Sequence, residues 1–212
     1  MKISPIEVTL VDHMGNDLSV VNAARVSFDK TSEEMNDSDC KLLRYLATHN
    51  HWSPFSHAFA SFRIKAPIFV ARQLVKHTVG LAWNEVSRRY VSTEPEFYLP
   101  DYWRKSASNV KQGSSDEEAG WFNPKAEYLY DQALRTYNLM LNEGVCAEQA
   151  RLMLPQGVHT EWIWSGSLFA YARVCNLRLD SHTQKETQMV AQQISNHMKD
   201  LFPESWKVLV AE

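Results

Sequence analysis

Residues 72–90 read RQLVKHTVGLAWNEVSRRY. Arg72, Lys76, Arg88 and Arg89, with His77 when protonated, are matched there by one carboxylate, Glu85. Gln73 and Ser87 add neutral hydrogen-bonding groups to the same stretch. Planar guanidinium forks suit bidentate recognition of phosphate or carboxylate. The segment therefore reads as an anion site, with a phosphorylated small molecule as the expected ligand. A charged helix face followed by a solvated loop is the alternative, because charge runs are commonly solvated. The chain has no GxGxxG, no GxxxxGK[ST] and no GxSxG. A phosphate site here must rest on side-chain cations and helix ends rather than on a glycine-rich cradle.

The rest of the composition narrows the classes. The 212 residues suit one large domain, and 44% hydrophobic residues supply its core. A formal net charge of −3 gives no global basic field, so no nucleic-acid partner is expected. Cys40, Cys146 and Cys175 are widely spaced and odd in number, which argues for a reducing compartment rather than a disulfide framework. His49, His51 and His57 lack an acidic partner or ligand spacing, so no metal is expected. No secretory leader and no membrane span is legible, and the expected setting is the cytoplasm.

The elements that must position these residues follow from periodicity. IEVTLV, 6–11, alternates as a strand and closes in a turn at His13–Asn16; residues 19–27 suit a short helix. A helix capped by Asp37 buries Leu42, Leu43 and Leu46 and ends at Asn50, before a polar loop at 49–57. A strand at 58–64 leads to a helix over 67–79, with Pro67 at its first position and Ile68, Ala71, Leu74 and Val75 buried. Residues 101–120 are polar and aperiodic and are expected to form a surface insertion. Helices follow at 123–142 and 146–154, then a strand at 158–164 whose Trp162 and Trp164 belong to core or interface. Ser165–Ser167 caps a helix to about Leu177, and Asp180 or Ser181 caps a last helix over 183–201 with Pro203 beyond. Strands and helices mix without βαβ regularity, so the class is α+β: helices with a small antiparallel sheet in a single domain, 1–212.

The run KAPIFVARQLVKHTVGLAWNEVSRRY, 65–90, resembles the signature region of the flavin-dependent thymidylate synthases. AARVSF (23–28), HWSPFSH (51–57), ARLMLP (150–155) and NLRLDSHTQKE (176–186) resemble further segments of that family, in its order. The resemblance implies conversion of dUMP to dTMP, with methylenetetrahydrofolate as carbon donor and NADPH-reduced FAD as hydride source. It also implies a homotetramer with shared sites. It assigns Arg178 to the uracil edge as the activating, catalytic group. Arg72, Gln73, Lys76, Glu85, Ser87, Arg88, Arg89 and Arg151 fall in or beside dUMP-contacting segments. Flavin contacts are implied for His51, Ser53, Lys76, His77, Thr78, Glu85, Ser167, Arg173 and His182.

Departures from the family pattern cluster on the flavin side. The family's Arg-His-Arg triplet is Lys76-His77-Thr78 here, and Ser87 follows one residue later than usual. Ser167, Phe169 and Arg173 stand where relatives usually carry Asn, Arg and Asn. Lys76 keeps a charge without the fork, and Thr78 loses both. Two other functions use the same nucleotide site. One is a dUMP 5-hydroxymethylase, handing the one-carbon unit to water. The other is a nucleotide-binding relative without flavin.

Overall fold

The computed structural model describes residues 1–91, 93–108 and 113–210. In chain order the elements are β1 (Lys2–Ile3), β2 (Glu7–Met14), α1 (Asp17–Arg25), α2 (Asp37–Thr48), β3 (Phe59–Pro67), α3 (Ile68–Leu74), β4 (Leu81–Glu85) and β5 (Glu96–Phe97). They continue as β6 (Trp103–Ser106), β7 (Ser114–Gly120), α4 (Asn123–Asn142), α5 (Ala147–Ala150), β8 (His159–Ser167), α6 (Leu168–Arg178), α7 (Lys185–Leu201) and α8 (Pro203–Leu209).

The central sheet is antiparallel, in the order β2-β3-β8-β4. Alternation sends Phe62 and Ile64 of β3 and Trp162 and Trp164 of β8 to one face, all 1% exposed or less. Helices α6 and α7 complete the core there with Leu168, Tyr171, Val190, Ile194 and Met198. The Tyr171 hydroxyl donates to the Trp164 carbonyl at 2.6 Å, satisfying a buried phenol. A second cluster under α4 gathers Phe97, Leu134, Tyr137, Ala150 and Val158. The expected α+β class holds, and both tryptophans of β8 are core residues.

Several boundaries differ from expectation, each for a local reason. Strand β2 runs through His13 and Met14, because both still pair with β3. The turn falls later, at Gly15 with φ +80°, and Asn16 caps α1 in a capping box with Ser19. Asn36, not Asp37, caps α2; its side chain accepts from Ser38 and Asp39 N–H. Asp39 is fully buried and takes Arg25 as its ion-pair partner. Pro203 opens α8 instead of merely stopping α7, and the Asp17 carboxylate accepts Glu204 and Ser205 N–H, each at 2.9 Å. Asp180 turns back on His182 rather than capping α7, whose N-cap is Gln184.

Two differences bear on the site. Helix α3 stops at Leu74, five residues early, and Val75 is exposed rather than buried. The chain must reverse there, because residues 81–85 form β4 against β8, with Trp83 opposite Trp164 and Glu85 opposite Trp162. Gly80 makes the reversal at φ +75°, where an added Cβ would also lie 3.1 Å from Ala170. Within 101–120, β6 and β7 pair as an antiparallel hairpin; residues 109–112 of that segment lie outside the described residues. Trp103 of the hairpin donates to Asn123 Oδ1 at 2.7 Å, and Arg104 pairs with Glu186 at 2.7 Å.

Candidate active site

The strand–helix units β3–α3 and β8–α6 lie side by side, because β3 and β8 are antiparallel neighbours. Each helix carries site residues at its C-terminal end: Gln73 and, just beyond it, His77 on the first unit; Arg178 on the second. Helix C-termini concentrate partial negative charge, which favours a cation such as Arg178. Arg178 Nε donates to His77 Nε2 at 2.9 Å. Among the described residues Arg178 forms no ion pair. Its guanidinium is half-buried, and burial lowers its pKa from the usual arginine range. His77 is pushed down by burial first, then by the charges of Arg178 and Arg173.

Arg178 lines a cavity of about 650 Å³ together with Gln73, Arg104, Asp180, His182 and Gln184. Gln73 Oε1 is buried and has no hydrogen-bond partner among the described residues. A buried amide oxygen without a donor is costly, so its presence in a cavity wall marks a place for an N–H from a ligand. Asp180 Oδ1 accepts from the His182 backbone at 2.8 Å and meets its ring Nδ1 at 3.0 Å. These bonds hold the Asp180 carboxyl below its usual range. Sequence reasoning missed Arg104 and Gln184. Arg104 sits in a polar segment with no periodicity, and only the hairpin brings it to the cavity.

The other expected nucleotide residues lie elsewhere. Strand β4 carries the chain about 14 Å from Leu81 to Glu85, at about 3.4 Å per residue. Glu85, Arg88 and Arg151 therefore line a separate, charged cavity of about 290 Å³ with Lys65, Glu96 and His159. Glu85 accepts from Thr160 Oγ1 at 2.7 Å and from Trp83 Nε1 at 3.2 Å. Arg88 donates to the Thr93 carbonyl at 2.5 Å, and burial lowers its pKa. Ser87 Oγ accepts from Arg89 Nε at 3.1 Å. Arg89 approaches Glu148 at 3.7 Å, an exposed pair of little energetic weight.

The expected flavin residues also divide. Lys76, Thr78 and Arg173 are exposed around His77, and Arg72 is exposed on α3. His51 and Ser53 are exposed on the loop after α2, flanking Trp52, which is 56% exposed. The Trp52 ring lies 6.2 Å from that of Phe169 on α6. Ser167 is buried and serves the fold, its hydroxyl accepting from Ala170 N–H at 3.2 Å to cap α6. The donor chemistry fits a flavin nucleotide: an exposed indole and cations able to meet a diphosphate.

Residues 9–204 match the family model described as thymidylate synthase complementing protein. The chain belongs to the flavin-dependent thymidylate synthase family. It is 38% identical over 198 residues to the flavin-dependent thymidylate synthase of Thermosipho africanus, covering 92% of this chain and 86% of that one. Against the enzyme of the same name from Thermus thermophilus the identity is 38% over 203 residues, with 94% and 73% covered. Among solved structures, a UMP/dUMP methylase PolB from Streptomyces cacaoi bound with 5-Br dUMP superposes with a TM-score of 0.86 at 32% identity, over 98% of this chain and 96% of that chain. The same methylase bound with 5-Br UMP gives 0.85 at 30% identity, over 99% and 97%.

Proposed function

We propose that this chain converts dUMP to dTMP as a flavin-dependent thymidylate synthase. The observation that carries the reading is a guanidinium without a carboxylate partner, Arg178, sharing a cavity with the unpartnered Gln73 oxygen. A uracil ring supplies what both lack: a carbonyl acceptor for Arg178 and an adjacent imide N–H for Gln73 Oε1. Donation from Arg178 places positive charge beside that carbonyl and draws electron density toward it, which favours reaction at C5. No cysteine is placed to attack the ring: Cys175 is buried, and burial raises its pKa far above neutral. When bound and reduced by NADPH, FAD would supply the hydride, with methylenetetrahydrofolate as the carbon source. Lys76, Thr78, Arg173, His182, His51 and Ser53 would hold the flavin nucleotide. Arg72 stands beside them as an exposed cation.

Ser87 and Arg89 offer a hydroxyl and a guanidinium to the nucleotide phosphate, with Arg88 and Arg151 beside them. Within one chain this group lies in a different place from Arg178, so a whole site uses Arg178 of one subunit and residues 85–89 of another, in a homotetramer. The surface supports assembly. The chain exposes 12727 Å², against about 10,000 Å² for a compact monomer of its mass. Trp121, Leu129 and Leu152 are among its exposed large side chains. No described helix is long and apolar enough to cross a membrane, and the three cysteines are free; both suit work in the cytoplasm.

Tritium release from [5-³H]dUMP, with FAD, NADPH and methylenetetrahydrofolate, tests the reading. Release with dTMP as the product by mass is expected. A product carrying an added oxygen would mean hydroxymethylation. Nucleotide binding without turnover, in protein that takes up no FAD, would mean a binding relative.

A further inference from the structure

We infer that His77 is a positioning residue for Arg178: as a neutral imidazole it accepts the Nε hydrogen and so aims the Nη edge of the guanidinium at the nucleotide. This rests on the nucleotide reading of the Arg178 cavity. The geometry fixes the roles of both partners. Arginine has five N–H donors and no acceptor, so a 2.9 Å contact from Nε requires His77 Nε2 to carry a lone pair. The imidazole proton is then on Nδ1. With Nε engaged, the four Nη hydrogens remain for a ligand. The bond crosses between the two strand–helix units, joining the segment after α3 to the last residue of α6.

The surroundings keep His77 neutral. Arg178 and Arg173 face it from α6, and both charges oppose a proton. From β8 the Trp164 ring faces it, at 6.4 Å between centroids. Lys76 and Arg72 are the cations of its own segment. Asp180 and His182 share the Arg178 cavity, but they are bonded to each other. A protonated His77 would turn an N–H toward the Arg178 N–H, and the hold would be lost. Aiming by His77 thus fails as pH falls through a pKa below the ordinary histidine range, independently of any flavin contact the ring makes.

The test uses the full-length protein in two ways. First, the Arg178 Nε–H resonance is followed by ¹H–¹⁵N spectroscopy against pH, with no ligand present, Arg178→Lys providing the assignment. A slowly exchanging, shifted signal that disappears at the His77 titration is expected. A signal with free-arginine shift and exchange at all pH values overturns the proposal. Second, kcat/KM for dUMP is measured against pH for wild type, His77→Gln and His77→Ala. The amide oxygen of glutamine can accept from Nε without titrating. With FAD at saturation, glutamine should lose the acid limb and retain several-fold more activity than alanine, which should lose about tenfold or more, as for a lost charged hydrogen bond. Equal losses in both variants, or an unchanged acid limb in His77→Gln, overturn it. Wild-type protein with the bonded resonance but no action on dUMP would refute the substrate reading and leave the Arg178–His77 pairing intact.

Discussion

Removing the Arg104 side chain tests whether the β6–β7 hairpin is a built wall of the site or a loose surface insertion. Arg104 is 15% exposed and Glu186 6% exposed, and their 2.7 Å contact joins the hairpin to the first turn of α7. Arg104 Nε also donates to Ser114 Oγ at 2.7 Å, tying the two strands together. In Arg104→Ala the buried Glu186 carboxylate would keep the 3.3 Å bond from Gln184 as its remaining hydrogen bond among the described residues. Breaking a buried pair from one side costs about 3–5 kcal/mol, because the remaining charge stays desolvated. At about 2–4 °C per kcal/mol for a chain of this size, Tm should fall by about 6–20 °C. Replacing both members by methionine removes the charge along with its partner, and should restore most of that loss. Scanning calorimetry of Arg104→Ala, Arg104→Met, Glu186→Met and Arg104→Met/Glu186→Met at one protein concentration closes the cycle. If Arg104→Ala costs under about 1 kcal/mol, or the double variant is as unstable as the sum of the singles, the pair does not hold the hairpin.

Arg178→Ala should fold with a Tm close to wild type, since it removes a half-buried side chain without an ion pair, yet abolish tritium release; normal turnover would show that the activating role is misassigned. Arg89→Ala should raise KM for dUMP about tenfold or more while changing kcat little, as expected for a lost charged phosphate contact, and steady-state kinetics would show the split. Glu96 is held down to about 2: burial opposes its charge, but hydrogen bonds from Lys2 and Lys65 outweigh it. Its folded pKa is therefore below the unfolded one, so its contribution is present above the ordinary glutamate range and lost as pH falls toward about 2. Glu96→Gln should cost roughly 2 kcal/mol at pH 7 and much less near pH 2.5, by urea unfolding at each pH.

Much of the frame was already legible along the chain. The period-two alternation of 58–64 and 158–164 determined which faces of β3 and β8 enter the core, and the stripe Val190, Ile194, Met198 determined how α7 lies on them. Those patterns are local, set by side-chain direction on a strand or helix. The cation-rich run 72–90 was equally visible as a run. Its division into two places was not, because nothing local says that the chain must turn at Gly80 to pair β4 with β8. A strand of only Leu81–Glu85 is too short for alternation to announce it against charged neighbours. The bond between His77 and Arg178 spans 101 positions and exists only because antiparallel β3 and β8 bring two helix C-termini together. Composition chose the chemistry available to this protein; long-range strand pairing decided which of those groups meet.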